Sequence, residues 1–415
     1  MASSLRLAQL VHGYPPAVGG VERAVRDLCE RLVREHGFEV TVLTTDAYDN
    51  SGFRDPGARR IGPLEEFVNG VLVRRFPVRR RVGSLLRIPQ SAAWRLRLPG
   101  NDRVRTWFHG PLSPGLKRAA REIAADVLAA ASFPLNHLFY PFDRPPPRPP
   151  VVLMASIHPE DAWGYERPCV LRLTKMAAAT VARTDPERNW LIERGAPADR
   201  VVVIPHGIAL PTRPPRRGAF RAAHGIGKDD FLVGFVGQQG AHKGIEDLLA
   251  VLPRLLAVEP SAWLVVAGSP TPYSAHIARE ATRLPRAARR RLLLFAGVSD
   301  AVRDELLRDL DVFASPSRYE SFGLTTLEAW AQTLPVVIGD GPAPRWVVNE
   351  GKAGVLVPPG NRDELLEQLA RLARDPGLRR ELGAAGRSRL ERLFTLDREA
   401  GTYAELYRSV ARLPD

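Results

Sequence analysis

Cysteine is nearly absent from this chain, with Cys29 and Cys169 its only two. Two thiols so far apart make neither a disulfide framework nor a metal cluster, and they suit a reducing cytoplasm. Long hydrophobic runs are missing as well. No stretch approaches the ~18 apolar residues that span a bilayer, and Leu5 to Val11 is too short and wrongly flanked for a signal peptide. Acidic charge is the third shortage: 46 Asp and Glu face 59 Lys and Arg, a net charge of +13. Such a surplus favours anionic partners, whether nucleotide, nucleic acid or acidic membrane. What is present is a 45% hydrophobic composition, that of a soluble globular protein, in 415 residues. That length accommodates two domains with a core each.

The chemistry concentrates in Ser315 to Val337, SPSRYESFGLTTLEAWAQTLPVV. Asp311 to Ala314 reads as a short buried strand and Thr325 to Gln332 as a helix, which Thr325-x-x-Glu328 can close with a capping box. Glu320 then lies on a loop at a strand's carboxyl end. The N–H groups of Gly323, Leu324, Thr325 and Thr326 open the helix, where free donors and the helix dipole favour a phosphate. Gly323, directly after Phe322, lets the backbone approach a ligand closely. Read alone, a glutamate pair at this spacing is more often bland, with Glu328 only capping its helix and Glu320 a solvated loop charge.

The same plan recurs along the chain. Leu5 to Val11 alternates as a strand. Gly19 and Gly20 then open a helix with Val21, Val25, Leu28 and Leu32 at helical spacing, and Glu39 to Thr44 completes a βαβ opening. Val151 to Ile157 is nearly all apolar and reads as a central parallel strand, with His158 at its carboxyl end. Pro211 to Arg217 reads as an interdomain linker. Phe231 to Val236 begins a second domain and leads through Gln238 to Lys243, a flexible point charge at a helix start. Trp263 to Gly268 and Leu292 to Val298 read as two more buried strands, Gly351 to Pro359 as the last one, and Glu364 to Leu393 as amphipathic helices.

Two further stretches each admit two readings. Asp309-Leu310-Asp311 spells a DxD of the kind that holds a metal. Leu306, Leu307, Leu310 and Val312 make it instead a helix running into a strand, so no metal is expected. Arg74 to Arg105 holds ten arginines against the single Asp102, with Leu85, Leu86, Ile88, Trp94, Leu96 and Leu98 interleaved. It is either a surface for acidic lipid head groups or a phosphorylated acceptor, or a solvated basic face. No recognised nucleic-acid module accompanies it, so nucleic acid is not an expected partner.

The string from Pro316 to Val337 resembles "PS..E.FG...lEA.A.G.PVV", the Glu-x7-Glu signature of retaining, nucleotide-sugar-dependent glycosyltransferases, above all glycosyltransferase family 4. Other elements resemble that family too: "P...GG.E" around Gly19 and Gly20, the strand-histidine element at His158, "ki.viPnGvd" at Asp199 to Ile208, and "vGr....KG" at Gly237 to Gly244. The resemblance implies an α/β GT-B fold, two Rossmann-like domains with parallel sheets facing across a cleft. It divides the chain into an acceptor-side domain at 1–212, a nucleotide-sugar domain at 213–390, and a C-terminal helix at 391–415 that crosses back to the first domain.

The resemblance also implies the reaction. A hexose would pass from a nucleoside-diphosphate-sugar to an acceptor hydroxyl with retention of configuration, in glycan, glycolipid or secondary-metabolite synthesis, with no metal or other cofactor. Glu320 and His158 would face the transferred sugar; Lys243, Gly19, Gly20 and the turn at Gly323 the diphosphate; Glu328 the ribose; Gly297 and Val298 the base. The acceptor would be a glycan, a lipid-linked species or a small molecule. A cytoplasmic enzyme, with the anionic inner face of the membrane as a second partner, is the expected setting. Gln238 stands where the family has an arginine beside the lysine, and Trp346 where it has a glutamate. His206 replaces an asparagine and Ala209 an aspartate. The first two departures keep open a different class, a GT-B-shaped binding or partner subunit without transferase activity.

Overall fold

The segments Val127–Ala131 (VLAAA) and Val151–Met154 (VVLM) are apolar at every position and buried along their length. Strands with no polar face must be covered on both sides, which places them inside a parallel sheet. The computed structural model, which describes residues 4–17, 19–145, 147–211 and 218–412, puts them there. The chain separates into two units. One runs to His206 and resumes at Leu396; the other is Gly207–Thr395. Beyond Pro211, the expected linker lies outside the described residues.

The first unit contains β1 (Arg6–Leu10), β2 (Glu39–Thr45), β3 (Glu65–Val68), β4 (Val71–Phe76), β5 (Val127–Ala131), β6 (Val151–Met154), β7 (Ala179–Ala182) and β8 (Val201–Val203). They form an eight-stranded sheet in the order β3-β4-β2-β1-β5-β6-β7-β8. Only β3 runs antiparallel to its neighbour. Between β1 and β2 the helix Gly20–His36 turns Val25, Leu28, Cys29 and Leu32 into the core, and Gly37 ends it in a left-handed turn. The helix Leu396–Val410 completes the same core with Ala400, Tyr403, Tyr407 and Val410. Each large side chain so buried contributes roughly 1.5–3 kcal/mol.

The second unit contains β9 (Leu232–Val236), β10 (Trp263–Gly268), β11 (Leu292–Ala296), β12 (Val312–Ser315), β13 (Val336–Gly339) and β14 (Val355–Val357). These pair in parallel in the order β11-β10-β9-β12-β13-β14. One expectation is corrected here. The strand at Leu292 is not buried like its neighbour: it is the sheet edge, half-covered along its length, with Leu294 exposed. An apolar run does not by itself reveal whether both of its faces find cover.

The helix start after β12 is a second correction. The helix is Leu324–Ala331 and its N-cap is Gly323, in a left-handed conformation, with no side-chain cap. Thr325 lies inside the first turn, so the Thr325–Glu328 capping box does not form. The DxD reading stands as a helix, Asp300–Asp309, running into β12. The arginine-rich stretch is only partly surface. Arg75 donates to the Pro15 and Pro63 carbonyls at 2.7 and 3.0 Å. Arg80 donates to the Ala58 carbonyl, and Arg105 to those of Trp163 and Glu166. These three guanidiniums are buried: Arg75 ties two loops to β4, and Arg80 and Arg105 tie their own helices to neighbouring segments. Among the described residues, no helix is long and apolar enough to cross a membrane.

Candidate active site

Strand order locates the site in the second unit. β9 lies between β10 and β12, so chain connections leave it in opposite directions. At such a reversal the loops after the two strands part and leave a crevice at their carboxyl ends. The loop after β9 carries Gln238 and Lys243; the loop after β12 carries Glu320 and Gly323. Lys243 Nζ donates to Glu320 Oε2 at 2.5 Å across the reversal. Both side chains are mostly covered, at 17% and 20% exposure, which strengthens their attraction relative to a surface pair.

Local chemistry sets both loops. Lys243 ends a single 3₁₀ turn, Ala241–Lys243, and Gly244 follows in the left-handed region at φ 70°. A Cβ at Gly244 would lie 2.1 Å from the Pro316 carbonyl oxygen. Glycine is therefore required on both counts, and the lysine loop rests directly on the glutamate loop. The Arg318 N–H closes the same seam by donating to the His242 carbonyl at 2.7 Å. Beside Glu320, a small recess is lined by Ser315, Ser317, Gly323, Thr325 and Thr326. The uncapped first turn of Leu324–Ala331 opens there, with Leu324 and Thr325 at its head.

The remaining expected residues of this unit are placed as follows. Phe322 lends its ring to the core, edge-on to Phe394 at 5.6 Å. Glu328 is buried in the helix body with Arg303 Nη1 3.8 Å away. Gln238 is exposed on the β9 loop, whereas its neighbour Gln239 is buried and donates to the Phe295 carbonyl at 2.9 Å. Gly297, at φ 84°, follows β11 and donates its N–H to the Gly268 carbonyl; Val298 packs against the core beside it. Trp346 packs on Phe394 at 5.9 Å, and its carbonyl accepts from Arg389. Asp309 accepts from the N–H groups of Gly218 and Arg221, and Asp311 from Arg221 Nη2 and the Leu232 N–H. Both carboxylates of the DxD are thus bonded inside the unit. No group of three or more potential metal ligands occurs among the described residues.

The first unit has its own reversal, between β1 and β5. His12, after β1, places Nδ1 2.7 Å from Ser132 Oγ, after β5. Its Nε2 lies 2.9 Å from Glu22 Oε1. Burial opposes ionisation of Glu22, but the His12 contact and hydrogen bond hold its pKa below the ordinary value. A Cβ at Gly19 would lie 2.1 Å from Glu22 Oε2, so the turn at Gly19 and Gly20 is folded onto this carboxylate. Sequence reasoning missed His12, Glu22 and Ser132. Glu22 was visible as the last letter of "GG.E", but nothing in the sequence announced its partners. His158 lies four residues beyond β6, its ring 5.4 Å from Tyr165. Its loop is anchored by Glu187, which accepts from the Ile157 and Arg183 N–H groups.

A lysine and a glutamate joined across a sheet reversal, beside an uncapped helix start, form an arrangement suited to an anionic ligand in an α/β protein, and the relatives narrow it. The family model described as Glycosyl transferases group 1 matches residues 216–389, and that described as Glycosyltransferase Family 4 matches residues 18–210. The D-inositol 3-phosphate glycosyltransferase of Streptomyces bingchenggensis is 32% identical over 247 residues, 56% of this chain and 53% of that protein. The alpha-maltose-1-phosphate synthase of Mycolicibacterium smegmatis is 30% identical over 289 residues, 63% of this chain and 73% of that protein. The structure of Anabaena HepE in complex with UDP and glucose matches with a TM-score of 0.70 at 18% identity, over 98% of this chain and 100% of that one. The chain spans about half the length of the inositol-phosphate enzymes that it matches. The chain belongs to glycosyltransferase family 4, and its two Rossmann-like units are those of the GT-B fold.

Proposed function

We propose that the chain transfers a hexose from a nucleoside-diphosphate-sugar to an acceptor hydroxyl, with retention of anomeric configuration. The observation that carries this reading is the Lys243–Glu320 pair, set at the reversal of the second sheet beside an uncapped helix start. As the sugar–phosphate bond breaks, negative charge grows on the diphosphate and positive charge on the anomeric carbon. Lys243 and the N–H groups of Leu324 and Thr325 stabilise the first, and Glu320 the second. Glu328 accepts from the ribose hydroxyls, and Gly297 and Val298 border the base. His158 and the Gly19–Gly20 turn are assigned to the same reaction by their motif resemblance.

Retention follows from front-face attack, in which the leaving phosphate takes the acceptor's proton and no covalent sugar–enzyme bond forms. The proposed reaction uses no metal, a reading supported by the DxD carboxylates being bonded to backbone and arginine. The donor class is supported by relatives named for sugar transfer and by the UDP and glucose in the HepE structure. The acceptor is a glycan, a lipid-linked species or a small molecule, and the enzyme works in the cytoplasm against an anionic membrane face. Gln238 favours a second reading, a binding or partner subunit, since an amide does not offset diphosphate charge as arginine does.

A panel of nucleotide-sugars tested by thermal shift, followed by product analysis, separates the two readings. A ligand at 100 times its dissociation constant stabilises by about 2.7 kcal/mol. Stabilisation with turnover and an α-configured product from an α-donor supports transfer with retention. Stabilisation without hydrolysis or transfer supports the binding subunit, and an inverted product overturns the retaining mechanism.

A further inference from the structure

Two clefts on the first unit share a wall. One, of about 480 Å³, lies among the helices Arg80–Leu85 and Asn101–His109, the start of the helix Pro114–Glu122, and the turn Asn136–Asp143. Its sides are mostly carbon, from Val82, Leu86, Trp107, Leu112 and Phe139. The polar groups at its base are spent on one another. The Tyr140 hydroxyl accepts from the Ser113 N–H and donates to the Pro111 carbonyl, and Asn136 Nδ2 donates to both that hydroxyl and that carbonyl.

The other cleft, of about 620 Å³, continues from Pro114 and Lys117 into a groove edged by Arg118, Arg121 and Arg144, with Glu122 its one acid. Arg103 and Arg79 stand at the carbon-lined cleft, the Arg103 guanidinium 4.8 Å over the Phe139 ring. The carboxylate there, Asp143, is already 2.8 Å from Lys117. An apolar slot therefore opens into a cationic groove.

The surface around the slot has the same character. Of the twelve large apolar side chains exposed among the described residues, seven fall between Val82 and Trp107. Leu85, Ile88 and Leu96 are 75%, 77% and 69% exposed. Exposed apolar residues scattered singly need no explanation, but a cluster marks an interaction face. Arg81, Arg87, Arg95 and Arg97 are exposed among them, and Asp102, the one acid of the stretch, accepts from the Cys169 and Arg103 N–H groups.

We infer that this face binds an anionic membrane phospholipid, with its phosphate in the groove of Arg118, Arg121 and Arg144 and the start of an acyl chain in the carbon-lined slot. Charge and shape select the occupant together. A free phosphate has no use for the slot, and a neutral aliphatic chain has none for the cations. Leu85, Ile88 and Leu96 enter the same bilayer while the arginines meet its head groups. The site is independent of sugar transfer and is tested without it.

The experiment titrates the full chain calorimetrically with monomeric dihexanoyl-phosphatidylglycerol, with its phosphatidylcholine counterpart, and with glycerol 3-phosphate. The expected results are saturable binding of the first, at least tenfold weaker binding of the second, and no measurable binding of the third. Val82→Trp, at an exposed position on the wall, fills the slot and weakens phosphatidylglycerol binding at least tenfold without changing the melting temperature. Arg118→Glu with Arg121→Glu, both on the surface, erases the preference for phosphatidylglycerol whether or not the tryptophan variant folds. Ile88→Ser, outside both clefts, leaves monomer binding unchanged. The proposal is overturned by absent or unsaturable phosphatidylglycerol binding, by glycerol 3-phosphate binding as tightly, or by parent-like affinity and preference in the folded slot variant or groove variant.

Discussion

Lys243 donates to Glu320 at 2.5 Å, so the cation assigned to the diphosphate and the carboxylate assigned to the sugar hold one another. A diphosphate arriving at Lys243 competes with Glu320 for the same ammonium. The pair also sits where β9 and β12 part, just as His12 and Ser132 sit where β1 and β5 part. In each unit, the loops at the sheet reversal are joined by a side-chain bond.

That competition sets the first prediction. Glu320→Gln removes the competing charge, so it binds the bare nucleoside diphosphate at least as tightly as the parent while kcat falls. Losing one transition-state contact of this kind costs about 3 kcal/mol, on the order of a hundredfold in rate. Lys243→Ala weakens diphosphate binding and slows transfer together. Calorimetry and steady-state turnover measure both, and a parent-like rate in Glu320→Gln would reduce Glu320 to a loop charge.

Chelation separates two uses of an aspartate pair. Transfer should persist in EDTA, and loss of activity restored by magnesium or manganese would sink the metal-free proposal. Asp309→Ala should register in stability instead. It strips the Gly218 and Arg221 N–H groups of their acceptor, costing about 1–3 kcal/mol by urea denaturation.

Arg183 and Glu399 meet at 3.2 Å with side chains only 3% and 2% exposed. His206 also lies against Glu399, at 3.3 Å. Glu399→Ala leaves a guanidinium buried without its carboxylate, which should destabilise the fold by about 3–5 kcal/mol. Glu399→Gln should cost less. A loss under about 1 kcal/mol for the alanine variant would mean that water reaches Arg183.

Burial pushes the Glu187 carboxyl up from its ordinary 4.5 to about 7. Between these values the folded chain keeps a proton that the unfolded chain has released. The resulting stability is complete below about 4.5 and is lost as pH rises toward 7. The slope contributed is at most about 1.4 kcal/mol per pH unit. Urea midpoints taken from pH 5 to 8 should lose this slope in Glu187→Gln; parallel profiles for parent and variant would contradict it.

The sequence showed most strands and both catalytic-looking loops, because apolar runs and glycine turns are local signals. It did not show that the run at Leu292 is an edge, since cover is supplied by elements far away in the chain. It offered a capping box at Thr325, but the left-handed Gly323 starts the helix one residue earlier and takes Thr325 into the turn. Ten arginines in one stretch looked alike. Arg75, Arg80 and Arg105 are buried on carbonyls contributed by distant loops, and only the tertiary structure tells them from Arg81 or Arg87. His12 and Ser132 are 120 residues apart, and their meeting depends on strand order, which no local pattern encodes.

The helix Leu396–Val410 belongs to the unit that begins at the amino terminus. On the ribosome, that unit must therefore wait. Its helix Gly20–His36 and first strands emerge early, but Ala400, Tyr403 and Tyr407, which close its core, emerge only after the intervening unit has been made. At roughly 5–20 residues per second, that delay lasts on the order of ten to forty seconds. The later-starting unit can fold completely during the interval, while the earlier one still exposes the apolar face that its last helix will cover. A nascent chain stalled near Thr395 would carry one finished domain and one unfinished one, and the unfinished domain would be the natural client of a chaperone.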